Sequence, residues 1–256
     1  MVLIDAHCHL TLQFADRDIP KFDNVDAVVK RAEKANVAAI INCGTNYEDN
    51  VKSLDIAKKY KIVKAALGCY PTYAETLSEE EFNRQLEFIE KNKNNIVAIS
   101  EVGLDYKNPE TNKEKQKKYF LKIIELSERI KKPLILHSRK AELDVIEIIE
   151  SSSNKKINMH CCEARRHLIK RIFDNGWYMS MPCTIVRLEH FQNIVREYPL
   201  TQILTETDAP FLSPFKDKTN EPAFIVETIK MISEITKKDK EEVEETIFNN
   251  YKKVFD

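Results

Sequence analysis

Two histidines separated by one residue lie near the start of the chain, in the segment Asp5-Ala6-His7-Cys8-His9. Successive side chains of a β-strand point to opposite sides, so His7 and His9 would point to the same side and could bind one metal ion together. Asp5 would lie on that side too, as a hydrogen-bonding partner behind these ligands. Such a pair also arises by chance or in structural roles, so it indicates a metal site only if further ligands lie nearby.

Two carboxylates later in the chain are further candidates. Glu101 comes after Ala98-Ile99-Ser100, and an isolated charge in a buried segment is costly, so Glu101 needs a cation nearby. That cation is either a metal ion or a lysine or arginine side chain. Asp208 follows Leu204-Thr205-Glu206-Thr207, and we assign it two roles: ligand of the ion near His7 and His9, and general base for an attacking water.

Two more histidines, His137 and His160, end apolar runs of the same kind. Either one alone would be read as a hydrogen-bonded core histidine, but two at equivalent positions favour metal ligands. Nitrogen and oxygen ligands suit Zn, Mn or Mg, and too few are present to fill two coordination shells, so positions remain for water and substrate. The predicted ligands are His7, His9, Glu101, His137, His160 and Asp208.

These residues lie at the ends of short β-rich segments, which alternate eight times with longer amphipathic segments. Strands are predicted at residues 2–8, 37–43, 62–69, 96–101, 134–138, 157–161, 177–183 and 202–206. The alternation predicts an α/β protein with a parallel sheet, closed as a (β/α)8 TIM barrel with the metal site at the carboxyl ends of the strands. An open doubly wound sheet is the alternative, but the glycine-rich turn that it requires after the first strand is absent from residues 8–11.

The length of 256 residues allows one domain or two. Only four glycines occur, and nothing resembles an interdomain linker, so a single domain over residues 1–256 is predicted. Helices are expected over residues 23–36 and 111–132, and Ser78 with Glu81 forms a capping-box signature for another. His167 and His190 fall within helical segments and are interpreted as surface or packing residues.

The charges almost cancel, with 40 Lys and Arg against 41 Asp and Glu and a net charge of −1. No global field would attract a polyanion or an anionic membrane, so any contact with nucleic acid must be local. Neither a signal peptide nor a membrane span is apparent, which predicts a cytoplasmic protein without membrane association. No protein partner can be inferred.

Six cysteines are too few for a disulfide scaffold and are interpreted as reduced thiols. Most of them fall at predicted strand ends. They either fill the barrel mouth as small apolar side chains or join the metal site, which would favour a softer ion such as Zn. The five at strand ends are Cys8, Cys43, Cys69, Cys161 and Cys183, and Cys162 follows directly.

Taken together, these ordered segments resemble the TatD family within the metal-dependent amidohydrolase superfamily, over nearly the whole chain. The resemblance implies a (β/α)8 barrel that hydrolyses phosphodiester bonds, commonly as a deoxyribonuclease, with two divalent metal ions. By analogy His7, His9, Glu101 and Asp208 would hold one ion, whereas Glu101, His137 and His160 would hold the other, so that Glu101 is the bridge. The matching stretches are residues 5–10, 101–106, 134–139, 159–161, 206–214 and 220–222.

The stretch at residues 220–222 makes Asn220 a candidate for substrate binding, and Arg139 is a candidate phosphate contact through its fork of donors. Departures from the family pattern bear on the substrate more than on the metals. The family's frequent Gly-x-His-Pro-His segment reads Gly-Cys-Tyr-Pro-Thr at residues 68–72, so two histidines are replaced. His-Cys-Phe-Ser-Gly becomes His-Cys-Cys-Glu-Ala at residues 160–164, and Thr219 replaces a frequent arginine.

Three functions of different classes are compatible with these residues. The first is a two-metal phosphodiesterase acting on DNA ends or single strands, with Glu101 and Asp208 as catalytic residues and nucleic acid as the substrate. The second is an ester or amide hydrolase, such as a deacylase of mischarged aminoacyl-tRNA, because the same site can also attack a carbonyl. The third, a metal-binding protein that has lost its chemistry, is disfavoured because every ligand position is filled.

Overall fold

The computed structural model describes residues 2–12, 22 and 24–256. Within these residues, eight parallel strands follow one another in sheet order from β1 to β8. The strands are β1 (Leu3–Cys8), β2 (Val37–Cys43), β3 (Val63–Leu67), β4 (Ala98–Asp105), β5 (Leu134–Arg139), β6 (Ile157–His160), β7 (Tyr178–Pro182) and β8 (Ile203–Glu206). Helices alternate with them, so the predicted (β/α)8 barrel is confirmed.

The helices surround the sheet and pack their apolar faces on it. In order they are α1 (Val25–Lys34), α2 (Tyr47–Lys59), α3 (Pro71–Ala74), α4 (Glu79–Lys91), α5 (Lys113–Ile130), α6 (Glu142–Glu150), α7 (Arg166–Asp174), α8 (Glu189–Glu197), α9 (Ile225–Thr236) and α10 (Lys240–Phe255). Short 3₁₀ turns lie at Lys93–Asn95, Cys183–Val186, Leu200–Gln202 and Pro222–Phe224.

Local signals account for several helix starts. The predicted capping box is confirmed at α4, where Ser78 N donates to Glu81 Oε2 at 2.7 Å and Glu81 N donates to Ser78 Oγ at 3.2 Å. Helix α1 is capped by Asn24, whose side chain accepts from Ala27 N. Its predicted range began at Asp23, which lies outside the described residues.

The ring of strands closes at a seam between β1 and β8. Thr205 Oγ1 donates to Ile4 O at 2.6 Å across this seam. Beyond the strand ends, Asp208 N donates to His7 O at 2.9 Å and His9 N donates to Ala209 O at 2.8 Å. The seam therefore brings the residues after β8 against the residues that end β1.

Strand β4 differs most from its prediction. It was expected to end at Glu101, but it continues to Asp105 and pairs with β5 along this extension, with Gly103 opposite His137 and Asp105 opposite Arg139. Gly103 permits the close approach because a Cβ atom there would lie 2.0 Å from His137 O, and its φ of +138° is one that L side chains rarely adopt. The extension brings the carboxylate of Asp105 within 3.2 Å of His137 Nε2.

In the described part of the chain, no helix is both long enough and apolar enough to span a membrane.

Candidate metal centre

The six predicted ligands converge at the carboxyl ends of the strands. His7 lies in β1 and His9 directly follows it; Glu101 lies in β4, His137 in β5 and His160 at the end of β6, while Asp208 follows β8. Their side chains are mostly buried, with exposed fractions between 0% for His7 and 16% for Asp208. The structure therefore brings together every residue that was predicted as a ligand.

The first group of ligand atoms surrounds one point. His7 Nε2 and His9 Nε2 lie 3.0 Å apart, and each lies 3.4 or 3.5 Å from Asp208 Oδ1. Glu101 Oε2 lies 3.3 Å from His9 Nε2 and 3.9 Å from His7 Nε2. A tetrahedral ion with bonds of about 2.0 to 2.1 Å separates its ligand atoms by roughly 3.3 Å. His7, His9 and Glu101 therefore fit the ligand shell of such an ion, and Asp208 adjoins them, where it also groups with His7 and His160.

The second group uses the other oxygen of the same carboxylate. Glu101 Oε1 lies 2.8 Å from His137 Nδ1 and 3.5 Å from His160 Nε2. The ring of His160 also stacks on that of His7 at a centroid distance of 3.7 Å, so the two groups adjoin. Glu101 thus faces the first group with Oε2 and the second with Oε1.

Hydrogen bonds on the far side of three imidazoles orient them toward the ligand groups. His9 Nδ1 lies 2.9 Å from Cys43 O, and His160 Nδ1 lies 3.1 Å from Glu206 Oε1. His137 Nε2 lies 3.2 Å from Asp105 Oδ2. An acceptor at one ring nitrogen fixes the proton there and leaves the other nitrogen free for a metal.

Glu206 and Asp105 contact the candidate ligands His160 and His137 and were not identified from the sequence. Glu206 is fully buried, and besides His160 it accepts from Ser180 Oγ. Burial raises the pKa of Glu206, and the charge of His160 partly opposes that rise. A signal for Glu206 was present, because a carboxylate inside a short apolar strand needs a partner just as Glu101 does.

Two residues have roles other than those expected. Asp5 was expected behind the ring of His7, but its carboxylate instead accepts from Thr207 N at 2.9 Å and from Thr207 Oγ1 at 2.5 Å. Asn220 was expected to bind substrate, but it is fully buried and its amide donates to Thr207 O at 2.7 Å. Both side chains hold the segment after β8, so they position Asp208 from behind.

Arg139, His167 and His190 lie outside the ligand groups. Arg139 is exposed at the end of β5, on the face that carries the ligand groups. His167 is exposed on α7, and the ring of His190 on α8 packs against the loop after β6, with Nε2 3.3 Å from Cys162 O. The interpretation of both histidines as surface or packing residues is confirmed.

All six cysteines are free thiols, and five of them are buried. Burial raises the pKa of the Cys162 thiol to about 11, which disfavours the thiolate that a metal requires. Among the described residues, the groups that could hold a metal ion contain histidine, glutamate and aspartate without any cysteine. The thiols therefore fit the role of small apolar side chains that fill the barrel mouth.

Protonation of the centre balances its charges. Burial and the neighbouring His160 lower the pKa of His7 to about 3, which keeps His7 neutral. Burial also opposes the charged form of His9, but hydrogen bonds to Asp208 and Glu101 outweigh it and raise the pKa to about 10. The same hydrogen bonds, with those from His137 and His160, hold the pKa values of Glu101 and Asp208 low despite burial. In the metal-free protein, the neighbouring carboxylates therefore favour the charged forms of His9, His137 and His160 despite burial.

A metal ion must displace such protons, because only neutral imidazole binds metal. We expect binding to release at least one proton at pH 7, since the pKa of His9 is about 10. Affinity should therefore rise with pH, by about tenfold per pH unit for each proton displaced. Calorimetry in buffers of different ionisation enthalpy measures this release directly. Identical binding enthalpies in all buffers would contradict it, whereas His167→Ala on the outer surface should leave the release unchanged.

Comparison with known proteins identifies the family of this chain. The family model described as TatD related DNase matches residues 4–256. Human deoxyribonuclease TATDN3 is 30% identical, over 99% of this chain and 94% of its own, and an uncharacterized metal-dependent hydrolase of Methanocaldococcus jannaschii is 31% identical, over 98% and 96%. The crystal structure of the TatD homolog YJJV from Escherichia coli k12 superposes with a TM-score of 0.89 at 26% identity, covering 99% of this chain and 97% of that one. The chain therefore belongs to the TatD-related DNase family of metal-dependent hydrolases.

Proposed function

We propose that this protein is a two-metal phosphodiesterase that acts on DNA ends or short single strands. The observation that carries the proposal is the orientation of Glu101, whose two oxygens face two separate groups of ligand atoms. A pair of adjacent cations on one bridging carboxylate suits a phosphoryl group, which needs charge neutralised at both the attacking and the leaving oxygen. The name of human deoxyribonuclease TATDN3 supports the same substrate class.

His7, His9, Glu101 and Asp208 would hold the first ion. Glu101, His137 and His160 would hold the second, and Zn, Mn and Mg all suit this mixture of nitrogen and oxygen donors. Bound divalent ions would polarise the phosphoryl group and lower the pKa of a water molecule. Glu101 would contribute to both sites, because its two oxygens face different groups of ligand atoms.

Asp208 would act as the general base. Hydrogen bonds to His7 and His9 keep its pKa low in the metal-free protein, and bound cations would do the same, so the carboxylate would be ionised near neutral pH. An ionised carboxylate beside the attacking water could accept its proton. Its side chain is 16% exposed, which gives it access to the mouth of the barrel. Arg139, exposed at the end of β5, would contact a phosphate next to the one that is cleaved.

A substrate panel tests the proposal. Metal-loaded protein is incubated with single-stranded and duplex DNA labelled at either end, and separately with aminoacyl and aryl esters. We expect phosphodiester cleavage to be fastest and to disappear with EDTA. Asp208→Asn purified in parallel reveals any contaminating nuclease. Faster turnover of the acyl esters would instead favour a deacylase, and activity that survives EDTA would contradict a metal mechanism.

The substrate would be held by local contacts, because a net charge of −1 supplies no general attraction for DNA. We therefore expect weak, salt-sensitive binding to DNA without sequence preference.

Three further features stay predictions: residence in the cytoplasm, organisation as a single domain and the identity of the metal.

Arg139→Ala is expected to slow phosphodiester cleavage by about 10- to 100-fold, the worth of one charge-assisted hydrogen bond. Cleavage of an uncharged aryl ester should change much less, because that substrate lacks the anionic oxygens that Arg139 would contact. Arg84→Ala, on the outer helix α4, removes the same charge and serves as the control. Equal slowing of both reactions by Arg139→Ala would indicate a structural role instead.

A further inference from the structure

Tyr70 lies at the barrel mouth, directly before the short helix α3. In the family's Gly-x-His-Pro-His segment this position is the first histidine. The side chain of Tyr70 contacts two residues of the site, Asp105 and His137. Tyr70 OH donates to Asp105 Oδ2 at 2.8 Å and lies 3.2 Å from His137 Nε2. Its ring also meets that of His137 edge-on, with centroids 4.9 Å apart.

The backbone around Tyr70 is held on both sides. Tyr70 N donates to Thr45 O at 2.8 Å. Two residues earlier, Gly68 exchanges two hydrogen bonds with the side chain of Asn50, at 2.8 and 3.0 Å. A Cβ atom on Gly68 would lie 2.3 Å from the carbonyl carbon of Ser100, so glycine allows this loop to lie against the strand that carries Glu101. These hydrogen bonds fix the backbone of the loop that carries Tyr70, and so they fix the position of its hydroxyl.

Asp105 is fixed just as firmly. Its Oδ1 accepts from Lys107 N at 2.9 Å, and its backbone exchanges hydrogen bonds with the side chain of Gln116 at 2.8 and 3.1 Å. Asp105 Oδ2 is left for Tyr70 and for His137, whose Nε2 lies 3.2 Å away. An acceptor at that point keeps one imidazole proton on Nε2. Nδ1, which donates to Glu101 Oε1 at 2.8 Å in the metal-free protein, is then the nitrogen that could give up its proton and bind a metal.

We propose that Tyr70 is a positioning residue of the second metal site, whose hydroxyl holds Asp105 against His137 Nε2 and so keeps His137 Nδ1 aimed at the metal. The inference rests on the two-metal site of the proposed function. Removing a partner behind a ligand typically lowers metal affinity by about 10- to 100-fold. The effect should fall on the second site, because His137 belongs to that group alone.

Tyr70→Phe tests this, with zinc or manganese titrated alone into metal-free protein by calorimetry. We expect one of the two sites to weaken by about 10- to 100-fold and the other to change less than about twofold. Tyr106→Phe is the matched control, since it removes a hydroxyl that donates to another aspartate, Asp144, at 2.9 Å. Asp105→Asn should weaken the same site as Tyr70→Phe. The ¹⁵N shifts of His137 should show loss of the fixed Nε2–H tautomer in Tyr70→Phe.

The number of ions bound by the wild type tests the proposed function, and the affinities of Tyr70→Phe test the positioning role. If the wild type binds fewer than two ions, the two-metal site itself is wrong. If the wild type binds two and Tyr70→Phe binds both with unchanged affinity, the positioning role is refuted. Equal weakening of both sites, or the same weakening in Tyr106→Phe, would also refute it because either result indicates general loosening of the fold.

Discussion

Replacing Asp208 with asparagine is expected to lower kcat by about 10²- to 10⁴-fold, equivalent to a barrier higher by about 3 to 5 kcal/mol. The amide keeps an oxygen that can bind metal but cannot accept a proton from water. Metal content should therefore fall only modestly while turnover collapses. The measurement is kcat on labelled single-stranded DNA beside elemental analysis of the same preparation.

Asparagine is the appropriate substitution because of the backbone conformation at position 208. Asp208 has a φ of +55°, in the left-handed region, and among non-glycine residues aspartate and asparagine tolerate that region best. An alanine would add backbone strain to the loss of the carboxylate, which would confuse the two effects. With asparagine, a loss of activity reports on the side chain.

The competing explanation is that Asp208 serves only as a ligand. In that case activity should follow metal occupancy, and excess metal should restore kcat of Asp208→Asn to near the wild-type value. Such rescue would remove the general-base role and leave the ligand role intact. A fully loaded but slow variant supports the base.

Loss of Glu101 should have the broadest effect on metal binding. Glu101→Ala removes Oε2 from the first group and Oε1 from the second, so we expect each site to weaken by more than about 100-fold, a larger change than loss of a partner behind a ligand. Hydrolysis should fall to background at micromolar metal. Calorimetric titration of the metal-free variant measures both sites in one experiment.

His137→Ala is the matched comparison, because His137 contributes to the second group alone. It should deplete one site and spare the other. Equal losses in Glu101→Ala and His137→Ala would contradict the bridge. Circular dichroism of the metal-free variants checks that both remain folded.

The fold could be predicted because each strand is a short apolar run with its own boundaries. The range of β2 matches its prediction at both ends, and β5 and β6 match within one residue. The convergence of the candidate ligands could be predicted for the same reason: parallel strands of a barrel end on one face, so polar residues at those ends lie close together. Closure of the ring was implied by the count of strands.

The partners behind the ligands were harder to predict. Asp105 was missed because β4 was expected to stop at Glu101, and the extension depends on Gly103 passing close to β5, a contact between residues distant in the sequence. The burial of Asn220 could not be predicted, because a motif position does not reveal burial. Whether its amide meets a substrate or the backbone of Thr207 is decided by how the segment after β8 folds back.

The seam between β1 and β8 has a consequence for how the protein matures. Thr205 and Ile4, which meet there, are 201 residues apart in the chain. The first ion would take its ligands from both sides of this seam, so its site would form only when the last strand has docked against the first. A metal ion bound there would link the two ends of the barrel. The free energy of unfolding would then rise with the logarithm of the metal concentration. A chain that ends before β8 would lack Asp208 and with it one of the proposed ligands of this site.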